Sequence, residues 1–257
     1  MPRSYKRTPD QVRPLKITKH VAGNADGSVL LELGKTKVIC TASLANTTPH
    51  FLRNKDKWWL TASYNLLPAS AQTRVERESI AKRNERSVEI SRLIGRSLRS
   101  IVSLHDMGSE KTIYIDCDVL QADGSTRCAS ITGAFVALQL AEQKWLSQGI
   151  IKQPFIQDEL VAVSCGILDG TALVDIDYAE DSNGVADFNF VMTRSGNIIE
   201  IQGSAEQKPI AWNQVALLAT LAHKGIQDIF AFLDNQDTPV KHDKKLQVSL
   251  KELLQSQ

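Results

Sequence analysis

Gly124-Ser125-Thr126-Arg127 sets two hydroxyls and a guanidinium on a bend between an apolar strand and an apolar helix. The preceding TIYIDCDVL alternates strictly: Ile113, Ile115, Cys117 and Val119 share one face, and Thr112, Tyr114, Asp116 and Asp118 share the other. Ile131, Ala134, Phe135, Leu138 and Ala141 then recur at helical spacing. The bend therefore opens a helix, where unpaired backbone N–H groups and the positive end of the helix dipole suit an anion. It matches neither GxGxxG nor GxxxxGK[ST], so neither a dinucleotide site nor a nucleoside-triphosphate loop is indicated. A plain N-cap by Asp123 or Ser125 also accounts for the residues taken alone.

The acids of VDIDYAEDSNGVADFN form a second group. Read as a strand with Asp175 and Asp177 on one face, the segment turns at Asn183-Gly184 and returns at Asp187. A three-residue loop, Asn183 to Val185, sets Asp181 opposite Asp187; a two-residue Asn-Gly turn sets Glu180 there instead. Either register opposes two carboxylates, which is unfavourable unless a cation or a proton relieves it. Oxygen donors with no His or Cys nearby suit the hard ion Mg²⁺. A solvated acidic hairpin explains the same residues if they stand alone.

A third group is cationic. Arg74, Arg77, Arg83 and Arg86 crowd a charged segment ahead of SVEISRLIGRSLRSIVSL, an amphipathic helix with Ile90, Leu93, Ile94, Leu98, Ile101 and Leu104 on one side. Arg92, Arg96 and Arg99 share a stripe on the other side, and none has a carboxylate four residues before it. Such a stripe is either a solvated face or a seat for a polyanion, since guanidinium forks grip phosphate and carboxylate in pairs. Together with the four preceding arginines it could line an approach for single-stranded nucleic acid.

Stepping outward to the elements that hold these groups, GSVLLELGKTKVICTASL reads as two strands joined at Gly34-Lys35, and KWWLTASYNLL reads as a third; together they suggest a small antiparallel sheet. LVAVSCGILDGTALVDIDYAED is a hairpin with Asp169-Gly170 at its tip. ADFNFVMTRSGNIIEIQGSAE is another, turning at Ser195-Gly196-Asn197. PIAWNQVALLATLAHKGIQDIFAFL is one helix with Gly225 as a candidate break. Strands and helices in blocks indicate an α+β fold of mixed, largely antiparallel sheets packed with helices. No Pro/Gly/Ser-rich linker divides the chain, so one domain over 1–236 is expected, followed by a polar tail over 237–257 that is either disordered or a short peripheral helix.

The net charge of +1 excludes a grossly basic nucleic-acid coat. Cys40, Cys117, Cys128 and Cys165 stand singly in apolar stretches, as buried thiols do in a reducing cytoplasm. The first residues lack the apolar core of a signal peptide, and no apolar run reads as long enough to cross a bilayer, so a soluble cytoplasmic protein with no membrane partner is expected.

The strings QVRP from Gln11, GSVLLELGKTKVICTASL, RSVEISRLIGRSLR, IDCDVLQADGSTRCASITGAFVAL, YAEDSNGVADFNFVMT and IIEIQGSAE together closely resemble bacterial ribonuclease PH, a family of phosphorolytic 3′-exoribonucleases that trim tRNA 3′ ends. The likeness runs from about Gln11 to the helix ending near Phe232. It implies the ribonuclease PH type fold. It implies that Arg86 and the Ser125-Thr126-Arg127 elbow bind the attacking phosphate, that Asp181 and Asp187 are the catalytic, Mg²⁺-binding pair, and that Arg74 and Arg77 guide the tRNA end. The arginine stripe Arg92, Arg96, Arg99 joins them as a candidate RNA-binding face. The resemblance further implies reversible nucleotidyl transfer on tRNA precursors and other RNA 3′ ends, in a homo-oligomeric, hexameric ring built as a trimer of dimers. Catalytically silent, RNA-binding subunits of exosome-like rings are the alternative; Asp181, Asp187 and Arg127 together argue against it. The chain departs from the family pattern at Ser63, where an acid is usual, at Ala69, where a basic residue is usual, and at Asn84 and Glu85, where glycines are usual.

Overall fold

The computed structural model describes residues 3–50, 57–78, 84–105, 107 and 111–237. The N-terminal half builds a five-stranded sheet from β1 (Leu15–Lys19), β2 (Gly27–Leu33), β3 (Thr36–Ala45), β4 (Trp59–Leu66) and β5 (Thr112–Gln121), in the order β1-β2-β3-β5-β4. The expected β2–β3 hairpin turns at Gly34-Lys35, with Gly34 at φ +60°, a left-handed conformation that glycine adopts without steric cost.

The sheet is not wholly antiparallel, as the sequence had suggested. β5 inserts between β3 and β4 and runs parallel to β4, with Trp59 opposite Thr112. The physical reason is the crossover: parallel neighbours cannot be joined by a hairpin, and α1 (Glu85–Arg99) supplies the connection between them. Asn84 caps α1, its side chain accepting from the Arg86 N–H. Ile90, Leu93, Ile94 and Leu98 turn inward as the periodicity required; Ile101 and Leu104 are also buried but lie beyond the last helical residue.

α2 (Thr126–Ser147) follows β5 and is apolar on nearly every side, so it must be covered all round. The five-stranded sheet covers it through β2, β3 and β5. A second sheet, wholly antiparallel and ordered β7 (Thr171–Val174), β6 (Leu160–Leu168), β8 (Ala186–Thr193), β9 (Ile198–Ala205), covers it through β6. β6 is buried along almost its whole length because α4 (Trp212–Asp237) packs on its other face. One continuous apolar core therefore runs from Val29 and Val38 through Phe135 and Leu138 to Val161, Phe190 and Ile226. Trp145 closes it at the end of α2, edge-on to Trp58 and stacked with Phe155 at 6.0 Å between centroids.

Both expected hairpins are present, with Asp169 and Gly170 both at positive φ in the first. The α+β reading, with mixed and largely antiparallel sheets, is thus the fold the chain adopts. α4 passes Gly225 without a break; a Cβ there would meet a Val174 methyl at 2.7 Å, so the glycine serves the close packing of the helix on β7 and does not mark a helix end. At 26 residues α4 is, by length and composition, apolar enough to cross a bilayer, contrary to the expectation that no run would be. Its Leu218, Ala222, Ile226, Ile229, Phe230 and Leu233 are nevertheless buried against the second sheet. Asp237 ends the helix; the rest of the polar tail lies outside the described residues.

The first sheet approaches α2 closely at Gly27, where a Cβ would stand 2.0 Å from the Ala137 carbonyl oxygen and 2.7 Å from the Ala141 nitrogen. Both obstacles are backbone, so neither can rotate aside. Gly27→Ala is expected to lower the unfolding free energy by about 3 kcal/mol in urea denaturation, through overpacking that only a shift of α2 can relieve.

Candidate active site

The bend after β5 lands on the corner between β7 and α3 (Tyr178–Asn183). Gly124 has φ +75°, and a Cβ there would sit 2.6 Å from both the Asp177 carbonyl carbon and the Ile176 oxygen. Only glycine allows this approach, and it carries the first turn of α2 to the second sheet. Ser125 follows in the left-handed conformation at φ +55° and makes no side-chain cap on α2. Its hydroxyl turns away from the helix axis toward Ser164 Oγ (2.6 Å), the Ile176 carbonyl (2.9 Å) and Asp175 Oδ1 (3.1 Å). The capping alternative therefore does not describe Ser125, and the first N–H groups of α2 receive no side-chain acceptor from it. Thr126 is nearly buried, its Oγ1 accepting from the Tyr64 hydroxyl at 2.9 Å.

The acidic segment is not the continuous hairpin the sequence suggested. β7 ends at Val174, Asp175 takes φ +51°, and Tyr178–Asn183 forms the helix α3. The cause is a capping box: Asp177 accepts from the Glu180 N–H while Glu180 accepts from the Asp177 N–H, both at 3.0 Å. The spacing Asp177-x-x-Glu180 carried that signal in the sequence. It divides the acids. Asp175, Asp177 and Glu180 are buried with Arg3, Arg7 and Arg13: Arg13 grips both oxygens of Asp175 at 2.6 and 2.9 Å, and Arg3 donates to Glu180 at 2.7 Å. Glu180 is thereby removed from any pairing with Asp187.

Asp181, on the last turn of α3, and Asp187, on β8, are left facing each other's charge. Burial and then the Asp181 carboxylate push Asp187 up to about 6, offset in part by Arg127 and an Asn189 hydrogen bond. Asp181 is likewise raised, by burial and by Glu206, while Arg86 and Arg127 pull it down. Two carboxylates from separate elements, a third at Glu206 and two guanidinium groups thus share one electrostatic neighbourhood. Arg127 is held at its edge by Gln202 (2.9 Å) and, more loosely, Glu89 (3.5 Å). Arg86 is exposed two residues past the N-cap of α1, and its side chain makes no hydrogen bond or ion pair among the described residues.

The arrangement offers an anion seat (Arg86, Arg127 and the first turn of α2) against a cation seat (Asp181 and Asp187). No group of three or more His, Cys, Asp or Glu able to hold a metal ion occurs among the described residues. The donor chemistry still fits a hard ion of the Mg²⁺ type, which commonly takes one or two carboxylates and keeps water or phosphate oxygens for its other positions. Burial first, and then the Asp181 charge, raise the proton affinity of Asp187, and a bound cation offsets both.

The arginine stripe divides differently from the sequence expectation. Arg96 has a carboxylate after all, Glu200 on β9, which no spacing within the helix could reveal. Arg99 donates to the Leu60 carbonyl at 3.0 Å and lies over the Trp59 ring at 4.8 Å. Arg92 stays exposed beside a groove of about 600 Å³ between α1 and β4, lined also by Ser63, Asn65 and Arg99. Ser63 donates to Asp116 at 2.7 Å. Arg74 and Arg77 are exposed on the extended segment before α1 and make no hydrogen bond or ion pair among the described residues; Arg83 lies outside those residues. Sequence reasoning missed Glu206, Gln202 and Tyr64. Counting register back from the Ser195–Asn197 turn could have placed the first two, except that a bulge at Val191/Met192 shifts the pairing.

Comparison with known proteins shows the family. A family model described as 3′ exoribonuclease family, domain 1, matches residues 11–143, and its domain 2 counterpart matches residues 158–225. The anion seat lies in the first match and the acid pair in the second. Ribonuclease PH of Neisseria meningitidis serogroup C is 51% identical over 230 residues, covering 89% of this chain and 95% of that protein. The Neisseria gonorrhoeae protein of the same name is 50% identical over the same shares. Among solved structures, the Archaeoglobus fulgidus exosome with RNA bound to the active site aligns with a TM-score of 0.76 at 22% identity, covering 90% of this chain and 92% of that one. Rice Rrp46 aligns at 0.72 and 20%, covering 91% and 99%; these two likenesses concern the fold.

A carboxyl raised in the folded state favours its protonated form there, so the stability that protonated Asp187 contributes is fully present below the ordinary carboxylate range and is lost as pH rises toward and through about 6. Asp187→Asn is therefore expected to melt higher than the parent protein at pH 7 without divalent cation. Thermal melts from pH 4 to 7.5 should show the gap opening as pH rises.

Proposed function

The chain belongs to the ribonuclease PH family and is a phosphorolytic 3′ exoribonuclease with inorganic phosphate as co-substrate, and we propose that its reaction takes place between the α2 turn and the Asp181–Asp187 pair. The observation that carries this reading is the meeting, across α2 and the second sheet, of Arg127 with Asp187, whose carboxyl is raised by burial and by Asp181 and pulled back in part by Arg127. Residues 1–236 then act as one catalytic unit, because the site draws on both matched segments.

Arg86, Arg127 and the free N–H groups at the start of α2 hold phosphate, two guanidinium forks and a helix end being the donors such an anion takes. Thr126 is fixed by Tyr64 at the floor of that seat. Ser125 contributes its main chain only, its hydroxyl being engaged with Ser164, Asp175 and Ile176. A phosphate oxygen attacks the phosphorus of the last RNA linkage. A new P–O bond forms, the bond to the 3′ oxygen of the preceding nucleotide breaks, and a nucleoside diphosphate leaves RNA one residue shorter. Asp181 and Asp187 would hold Mg²⁺, which when bound supplies positive charge against the crowded phosphoryl oxygens. The protein's own work is to align the reactants and exclude water. One phosphoryl linkage replaces another, so the step also runs in reverse when diphosphates are abundant.

We infer that the substrates are the 3′ ends of tRNA precursors and of other RNAs. Arg74, Arg77 and Arg92 are exposed cations suited to guiding the strand, whereas Arg96 and Arg99 are held by Glu200 and by Leu60 with Trp59. Association into a homo-oligomer is supported by an edge strand, β9, that leaves Ile198 and Ile201 largely exposed, and by Trp212 at 84% exposure on α4; its hexameric size rests on the family resemblance alone. Four free, buried cysteines suit a cytoplasmic location.

Incubation with a 3′-extended tRNA, Mg²⁺ and phosphate is expected to release nucleoside diphosphates; monophosphates would mean hydrolysis and would refute the reaction drawn here. Arg127→Ala should raise the phosphate KM by about a hundredfold, the loss of one strong charge-assisted contact, with RNA affinity little changed. Asp187→Ala should fold normally yet lose turnover.

A further inference from the structure

Arg13, Thr36 and Asp175 surround the α2 turn from behind, and their burial keeps all three from touching a bound anion: they are 1%, 0% and 0% exposed. Each grips a different point. Arg13 Nη1 donates to the Asp123 carbonyl. Thr36 Oγ1 accepts from the Asp123 N–H at 3.0 Å and donates to the Gly124 carbonyl at 2.7 Å. Asp175 lies 3.1 Å from the Ser125 hydroxyl. The three consecutive residues that set the direction of the first turn of α2 are thus tethered before the helix begins.

The tethers answer a specific difficulty. Gly124 and Ser125 are both left-handed, and an L-residue such as Ser125 holds that conformation only when its surroundings impose it. Asp175 is also the point from which the chain runs to the other half of the site. Two residues on, Asp177 caps α3, and the Arg7 guanidinium that donates to the Asp175 carbonyl at 2.8 Å also pairs with Glu180. One buried carboxylate therefore relates the anion seat to the helix carrying Asp181.

We propose that Asp175, with Arg13 and Thr36, is a positioning residue that sets phosphate affinity by fixing the α2 turn against α3; this rests on the reading that the turn binds phosphate. Thr36 is the sharper probe, because Thr36→Val keeps the shape and removes both hydrogen bonds. Phosphorolysis is followed with phosphate and RNA varied separately, and inorganic phosphate binding is measured by calorimetry. Thr36→Val should raise both the phosphate KM and the phosphate Kd by about tenfold, since small misplacements of binding groups are costly. RNA KM should stay within about twofold, and kcat at saturating phosphate should recover to within about threefold, if alignment is otherwise intact. Asp175→Asn should show the same split more strongly; should it fail to fold, Thr36→Val decides alone. A Thr36→Val protein that melts lower yet keeps its phosphate Kd and KM would overturn the proposal. Arg127→Ala separates the two readings: if it too leaves the phosphate KM unchanged, the turn is not the phosphate seat and both fall. If it raises KM while Thr36→Val does not, only the positioning role falls.

Discussion

A carboxylate with no exposed surface holds this molecule's site together. Burial alone would drive Asp175 toward its neutral form, but the Arg13 guanidinium, bonded to both its oxygens, and the nearby Arg7 keep it below the usual carboxylate range. Such a pair is costly to bury and costlier to break, because the surviving charge would be stranded without water. Its value here is geometric. The N-terminal segment, the bend before α2 and the corner before α3 all end on the same few atoms.

The same short acidic run supplies two kinds of carboxylate, and environment alone separates them. Asp175, Asp177 and Glu180 meet three arginines and are neutralised in the fold. Asp181 and Asp187 meet each other and Glu206, and are left with raised proton affinity beside Arg86 and Arg127. Structural ion networks usually satisfy their members, whereas groups held in mutual repulsion mark a place where something else binds. The capping box at Asp177 and Glu180 draws that division, since it turns the chain into α3 and points the last acid of the run elsewhere.

The arginines are sorted by the same logic. Arg96 and Arg99 lie on one helix face with Arg92, yet Glu200 from β9 pairs with Arg96 and Trp59 from β4 lies under Arg99. What distinguishes Arg92 is that neither the second sheet nor β4 supplies it a partner among the described residues. Charge counted along a helix therefore does not reveal which arginines already have a partner in the fold.

Much of this protein was legible in its residues. Strand alternation, the Gly34-Lys35 and Asp169-Gly170 turns, the inward face of α1 and the strand–bend–helix around Gly124 follow from local rules, because each depends on neighbours within a few positions. The family resemblance extended that reading to the acids and the elbow. What lay beyond reach was anything decided by distant segments meeting. The parallel pairing of β4 with β5 depends on a crossover, and the role of Gly225 as a packing position and not a helix break depends on Val174 of β7 lying against it. The ion pair of Arg96 depends on β9, and the Ser125 hydroxyl is turned by Asp175 rather than by its own helix. Residue type and spacing determine which groups can do chemistry; only packing around α2 decides which of them face one another, since that juxtaposition is settled by burial of an apolar helix between two sheets and not by any local preference.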